Sequence, residues 1–175
     1  MAFLTTWNMT DLPSEMIDIL EEDIKKFDNW QDKSKVMGDD EIAPKIRNSK
    51  NAWIPTEHWI GGWIWYYIQK ANRENFLYDL YDIDGGNIQY THYYPGDYYT
   101  WHIDGDISTT FKPEIKPGTG ENLSQDQTFH KGECVRKLSF SLQLSDAKDY
   151  RGGEVEFVNS AGERYFAPKQ KGTLI

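Results

Sequence analysis

The chain has 175 residues, and its 28 acidic against 19 basic side chains give a net charge of −9. One domain of that length buries a full core, and the acidic balance argues against nucleic acid or an anionic membrane surface as partner, since phosphates are recognised by basic faces. An aromatic content of 15%, with 7 Trp and 11 Tyr, excludes a disordered chain and suits packed β-structure.

Cys134 is the single cysteine, so no intrachain disulfide forms and a reducing, cytoplasmic setting is expected. With only Arg136 and Lys137 as nearby cations, it reads as a structural thiol rather than a nucleophile. The opening MAFLTTWNMTDLPSEM lacks a charged n-region and a long apolar run, so neither a signal peptide nor a membrane span is expected.

Residues 1–10 read as a lead-in strand. Asp11 to Phe27 then places Met16, Ile17, Leu20, Ile24 and Phe27 at three- and four-residue steps, which predicts an amphipathic packing helix with Pro13 in its first turn. Residues 28–50 are polar and irregular. Asp39, Asp40 and Glu41 within them lack the ligand spacing of a calcium loop and read as a solvated run. A second helix is expected from Pro55 to about Arg73, with Trp59, Ile60, Trp63, Ile64, Tyr67, Ile68 and Ala71 as its apolar stripe and His58 as a surface or capping residue. Gly61 and Gly62 inside it each cost about 1 kcal/mol relative to Ala, which implies close packing there.

From Phe76 the period changes to two. Phe76–Leu80, Ile88–Tyr94 and Tyr98–Ile103 are predicted strands, the last two joined by a Pro95-Gly96-Asp97 turn. Residues 107–134 lose periodicity and read as a long connection of the functional or mobile kind. Arg136–Ser145 alternates cleanly, and Glu154–Val158, Glu163–Phe166 and Gly172–Ile175 are further short strands. Helices followed by short antiparallel strands predict an α+β fold, with helices buttressing a sandwich or jelly roll.

His102 and Asp104 carry the chemistry. Residues i and i+2 of a strand share a face, so an imidazole and a carboxylate project together. That is two thirds of the 2-His-1-carboxylate arrangement that holds non-haem iron. The triplet alone is weak, because chance supplies it often. Its place after a tight turn, before a long loop and upstream of a Gly152-Gly153 turn between strands strengthens it.

The segments YYPGDYYTWHID (Tyr93–Asp104), RKLSFSLQLSDAKDYRGGEVEF (Arg136–Phe157) and KGTLI (Lys171–Ile175) resemble iron(II)- and 2-oxoglutarate-dependent oxygenases of the prolyl-4-hydroxylase type. Arg47-Xaa-Ser49 and Trp53-Ile54-Pro55 resemble the N-terminal part of small hydroxylases of this kind, including ones carried by phages of marine bacteria. The resemblance implies a double-stranded β-helix (jelly roll) with N-terminal buttressing helices, in one domain over residues 1–175: a helical support region (1–80) and a jelly-roll core (81–175). It implies His102 and Asp104 as iron ligands, Tyr94 and Gln143 in the 2-oxoglutarate pocket, and Tyr99 and Trp101, with Tyr98, on the substrate side. Iron(II), 2-oxoglutarate and O2 would be required, with ascorbate as an accessory reductant. The substrate would be a prolyl or other peptidyl group, or a small molecule, hydroxylated in the cytoplasm, or a host cytoplasm if phage-encoded.

The family also needs a later histidine, and a basic residue about ten positions beyond it to pair with 2-oxoglutarate. No histidine follows His130. The expectation is therefore an incomplete jelly roll with its last strands missing, and little activity in these residues alone. Two rival readings stand beside it. One is a non-catalytic jelly-roll module that stacks a ligand on Tyr98 and Trp101; the other is a cupin-like metalloprotein that does not use 2-oxoglutarate.

Overall fold

A computed structural model of the chain describes residues 8–27, 47–83, 86–102, 104, 110–111, 134–159 and 161–175. The acidic run at Asp39–Glu41, His130 and most of the 107–134 connection lie outside the described residues. Two units divide the chain, one of Met1–Trp101 with Phe140–Ile175 and one of His102–Ser139.

In the first unit, β1 (Asn8–Met9) leads into α1 (Ser14–Ile24), with Pro13 as its N-cap. The helix buries Ile17, Leu20 and Ile24, each 2% exposed or less, while Met16 on the predicted apolar face stays exposed. Three apolar residues at i, i+3 and i+7 suffice for one buried stripe.

β2 (Arg47–Asn48) and β3 (Lys50–Pro55) follow. β3 pairs antiparallel with β4 (Asn87–His92) over six residues, from Lys50 opposite His92 to Pro55 opposite Asn87. Pro55 was expected to open a helix and instead ends this strand, where its missing N–H does no harm. The region expected to be helical support thus supplies half of the longest ladder among the described residues.

α2 (Trp59–Ala71) starts four residues later. His58 is its N-cap, with Nδ1 accepting from the Ile60 amide at 3.4 Å. The buried ridge is Ile60, Ile64 and Ile68, with Gly61 and Ala71; Trp59 remains 47% exposed. Close packing holds at only one glycine of the pair. A Cβ on Gly61 would stand 2.1 Å from the Thr56 carbonyl oxygen, whereas one on Gly62 would meet nothing within 4 Å.

The helix then widens into a π-helical turn, Asn72–Phe76, and Leu77 takes a left-handed conformation (φ 57°). The predicted strand at Phe76–Leu80 is absent for a local reason. The buried Asn72 amide accepts from the Tyr78 amide at 2.9 Å and donates to the Tyr78 carbonyl at 2.8 Å, which satisfies backbone groups a ladder would otherwise have to pair.

β5 (Tyr98–Tyr99) pairs with β2. β8 (Glu156–Val158) and β9 (Arg164–Phe166) form a hairpin. β10 (Thr173–Leu174) pairs with β1 on one edge, while Ser141 and Gln143 exchange backbone hydrogen bonds with Ile175, Thr173 and Gly172 at 2.8–2.9 Å on the other. The segment expected as one long strand, Arg136–Ser145, is thus paired around Leu142, opposite Leu174. The second unit contains β6 (Thr110–Phe111) paired with β7 (Cys134–Val135), a short ladder at the two ends of the long connection. Sequence periodicity gave no sign of it.

Among the described residues the architecture is mixed α+β, with two α-helices and small antiparallel sheets. Buried Ala52, Ile54, Ile88 and Tyr90 share one face of the β3–β4 ladder and join the helical stripes in the core. No helix among the described residues is long and apolar enough to cross a membrane.

Candidate functional site

The turn ahead of His102 is built as its sequence demands. The Asp97 amide donates to the Tyr94 carbonyl at 2.9 Å, Pro95 holds the second position and Gly96 the third, with φ 92°. A positive φ at the third position with proline before it is the type II pattern, which only glycine takes without strain. Asp97 closes the turn further. One carboxylate oxygen accepts from the Tyr94 amide at 2.8 Å and the other from the Asn48 side-chain amide.

β5 is anchored by a polar cluster that sequence reasoning missed. Arg47 donates from Nε to Ser49 Oγ at 2.9 Å, and from one Nη to Asn51 Oδ1 at 3.1 Å and Thr91 Oγ1 at 3.0 Å. The Gln89 amide lies within 2.7 Å of Thr91 Oγ1. The Arg47 guanidinium also covers the Tyr99 ring at 4.7 Å. Buried Ser49 and Asn51 are thus paired rather than orphaned. The Arg-Xaa-Ser pattern was visible in the chain, but the partners on β4 become apparent only through the strand register.

His102 and Asp104 lie in the second unit. β5 ends at Tyr99 and residues 101 and 104 lie in bends, so the predicted strand through Ile103 is shorter than expected. The two side chains meet all the same: His102 Nε2 is 3.0 Å from Asp104 Oδ1, with the side chains 33% and 49% exposed. Arg136, in the same unit, donates to the Asp104 carbonyl oxygen and ties down the carboxylate's backbone. At that separation the two side chains hydrogen-bond directly, and the same spacing is compatible with a shared metal. Two donors, each about 2.1 Å from an ion and at right angles, stand about 3.0 Å apart. One neutral nitrogen and one carboxylate oxygen form a donor set for a borderline divalent ion such as iron(II). Among the described residues no group of three or more His, Cys, Asp or Glu is placed to hold a metal.

The other described histidines, His58 and His92, have different neighbours. His58 caps α2 and places Nε2 at 3.3 Å from Asp23. Asp23 also accepts from Lys26 and from Trp59 Nε1, both at 2.6 Å, and these bonds, that from Lys26 first, hold its carboxyl below the usual carboxylate range. His92 stands opposite Lys50 on β4.

The remaining predicted site residues all belong to the first unit. Tyr94 is half exposed and packs its ring 4.5 Å from His92. Gln143 is half-buried, with its backbone paired to the β10 segment. Tyr99 lies under Arg47, and Trp101 is 54% exposed beneath the Arg164 guanidinium, which is 5.5 Å from its ring centre. A pocket of about 280 Å3 opens beside Tyr94, lined by Lys25, Lys50, Tyr90, His92 and Tyr94. Burial, reinforced by the Glu21 carboxylate beside it, pushes the Tyr90 phenol up to about 12. Its hydroxyl, 3.3 Å from Glu21 Oε1, is a donor throughout the physiological range.

Compared with known proteins, the chain matches no family model, no curated protein and no solved structure.

Proposed function

We propose that the chain is of the iron(II)- and 2-oxoglutarate-dependent dioxygenase type with a double-stranded β-helix, a hydroxylase of a peptidyl or small-molecule substrate, in which His102 and Asp104 are two of three metal ligands; no histidine follows His130 to supply the third, so little turnover is expected of these residues alone. The observation that carries this reading is the 3.0 Å approach of His102 Nε2 to Asp104 Oδ1, at the end of a segment that resembles the family's metal-binding stretch. His102 and Asp104 would hold the metal. Iron(II), when bound, supplies the oxidative decarboxylation of 2-oxoglutarate coupled to substrate hydroxylation.

The chain's own part is positioning. Arg136 steadies the Asp104 main chain, and the Asp97-closed turn with the Arg47 cluster fixes β5. Small displacements of a reacting group cost large factors in rate, so the Arg136 contact within the second unit matters as much as the donors. Tyr94 and Gln143 are the co-substrate residues of this reading. Tyr99 and Trp101 are its substrate-side surface, and prolyl residues are the first substrate class to examine, by family analogy.

Cobalt(II), whose visible spectrum reports its ligands, tests the pair. The chain is expected to bind it, His102→Ala and Asp104→Ala are each expected to weaken binding by about tenfold or more, and added 2-oxoglutarate should change the spectrum. Unchanged cobalt affinity in both variants defeats the reading. Metal binding that ignores 2-oxoglutarate favours the cupin-like alternative. The aromatic-lined pocket next to Tyr94 favours a second reading, a ligand-binding module without catalysis. That module would keep full ligand affinity after metal removal.

A further inference from the structure

The β3–β4 register sets Lys50 directly opposite His92, and Ala52 opposite Tyr90. Alternation puts all four on one face of the ladder. Tyr94, two residues past His92, packs its ring 4.5 Å from the imidazole at a tilt of 39°, and the Lys50 ammonium lies 5.6 Å from the centre of the Tyr94 ring. Lys25, at the C-terminal end of α1, also lines the pocket. Glu21, one turn earlier, accepts from Lys25 Nζ at 3.1 Å and from the Tyr90 hydroxyl at 3.3 Å, which keeps the Lys25 side chain and the Tyr90 ring in place.

Two lysine side chains, one of them paired with Glu21, and three rings thus line one pocket in a chain whose net charge is −9. Ammonium groups recognise carboxylates through charge-assisted hydrogen bonds. Ring faces accept the flat or apolar remainder of a ligand. At about 30 Å3 per water-sized volume, 280 Å3 holds about nine non-hydrogen atoms.

We propose that this pocket binds a small organic carboxylate of about nine or ten non-hydrogen atoms. Lys50 is its anchoring cation, Lys25 the second, and Tyr94 with His92 the surface for its planar part. The inference does not depend on the metal pair, since every lining residue belongs to the first unit. A 2-oxo dicarboxylate and an aromatic acid share the required chemistry, and the titration separates them.

The test is calorimetric titration of the full chain, with metal removed by chelation, using 2-oxoglutarate, 4-hydroxybenzoate and the uncharged 4-hydroxybenzamide. At least one acid should bind about tenfold or more tighter than the amide. Lys50→Met should lose about tenfold in affinity for that acid and leave the amide unchanged, and Lys50→Arg should restore most of the loss. Preference for 2-oxoglutarate joins the pocket to the reaction proposed above. Preference for 4-hydroxybenzoate, weakened by Tyr94→Ala, makes it an aromatic-acid site. The proposal is overturned if neither acid binds up to about 10 mM, or if folded Lys50→Met binds the acid as the wild type does. The cobalt titration reads the metal pair and this metal-free titration reads the pocket, so failure of the metal reading and failure of the pocket are told apart.

Discussion

Tyr90→Phe gives two opposite results on the two sides of the tyrosine titration. The side chain is 7% exposed and its hydroxyl donates to Glu21 at 3.3 Å. Removing the hydroxyl at pH 8 forfeits one long hydrogen bond, a loss of about 1 kcal/mol. The folded-state value, raised to about 12, lies above the unfolded value of about 10. Stability from this group is therefore fully present below pH 10 and is lost as pH rises through 12. Linkage puts the loss at about 2 kcal/mol by pH 12. The phenylalanine variant does not titrate there and escapes that loss, while the other ten tyrosines act equally in both proteins. Urea unfolding followed by tryptophan fluorescence from pH 8 to 12 should show the variant less stable at the acid end, with the curves crossing near about pH 11. A constant difference between the two proteins across that range would refute the account of Tyr90 as a buried neutral donor beside Glu21.

Three further outcomes follow from named contacts. Gly61→Ala drives a Cβ into the Thr56 backbone and should cost about 1–3 kcal/mol, whereas Gly62→Ala, with nothing within 4 Å, should gain up to about 1 kcal/mol; thermal melts of the two variants should shift in opposite directions. Arg47→Lys keeps the charge but loses the planar fork that reaches Ser49, Asn51 and Thr91, and chemical denaturation should show a loss of about 1–3 kcal/mol. The depressed value of Asp23 makes its contribution fully present above the ordinary carboxylate range and lost as pH falls through the folded value, so the stability difference between wild type and Asp23→Asn should hold above about pH 5 and narrow steadily as pH falls below about 4 in acid titrations, and a difference that does not change with pH contradicts the ion-paired placement.

Periodicity found the elements whose stabilisation is local. α1 and the ridge of α2 were legible because an apolar stripe at helical spacing fixes both element and buried face, and the Pro95-Gly96 turn was legible because its dihedrals admit few residues. What failed had its cause elsewhere in the chain or in one side chain. Phe76–Leu80 alternates like a strand, yet the Asn72 amide claims the Tyr78 backbone. Pro55 is equally at home at a strand end and at a helix start, and the choice was made by a partner more than thirty residues away, since Asn87 stands opposite it. The site divides the same way. His102 and Asp104 are two residues apart, so their meeting was readable. Lys25, Lys50 and His92 come from three elements, and only the register of β3 on β4 and the position of α1 bring them to one pocket.

The two faces of the β3–β4 ladder are built differently. One face carries Ala52, Ile54, Ile88 and Tyr90 into the core and ends, toward Lys50 and His92, in the pocket. The other face buries Ser49 and Asn51 with Arg47. An apolar second face would have been cheaper to bury, because a guanidinium drawn out of water costs free energy unless nearly every donor is paired. Three of the Arg47 hydrogen bonds run to neutral acceptors on β3, β4 and the residue between β2 and β3, and its plane covers Tyr99 on β5. A single side chain therefore specifies how three strands and a connecting residue are arranged, with directional bonds that an aliphatic residue lacks. The strand it fixes is the one from which the chain runs directly to Trp101 and His102. A buried polar cluster with that position is better explained by the need to hold β5 in one place than by stability, and loss of Arg47 should disturb the order of the Tyr98–Trp101 segment before it unfolds the helices.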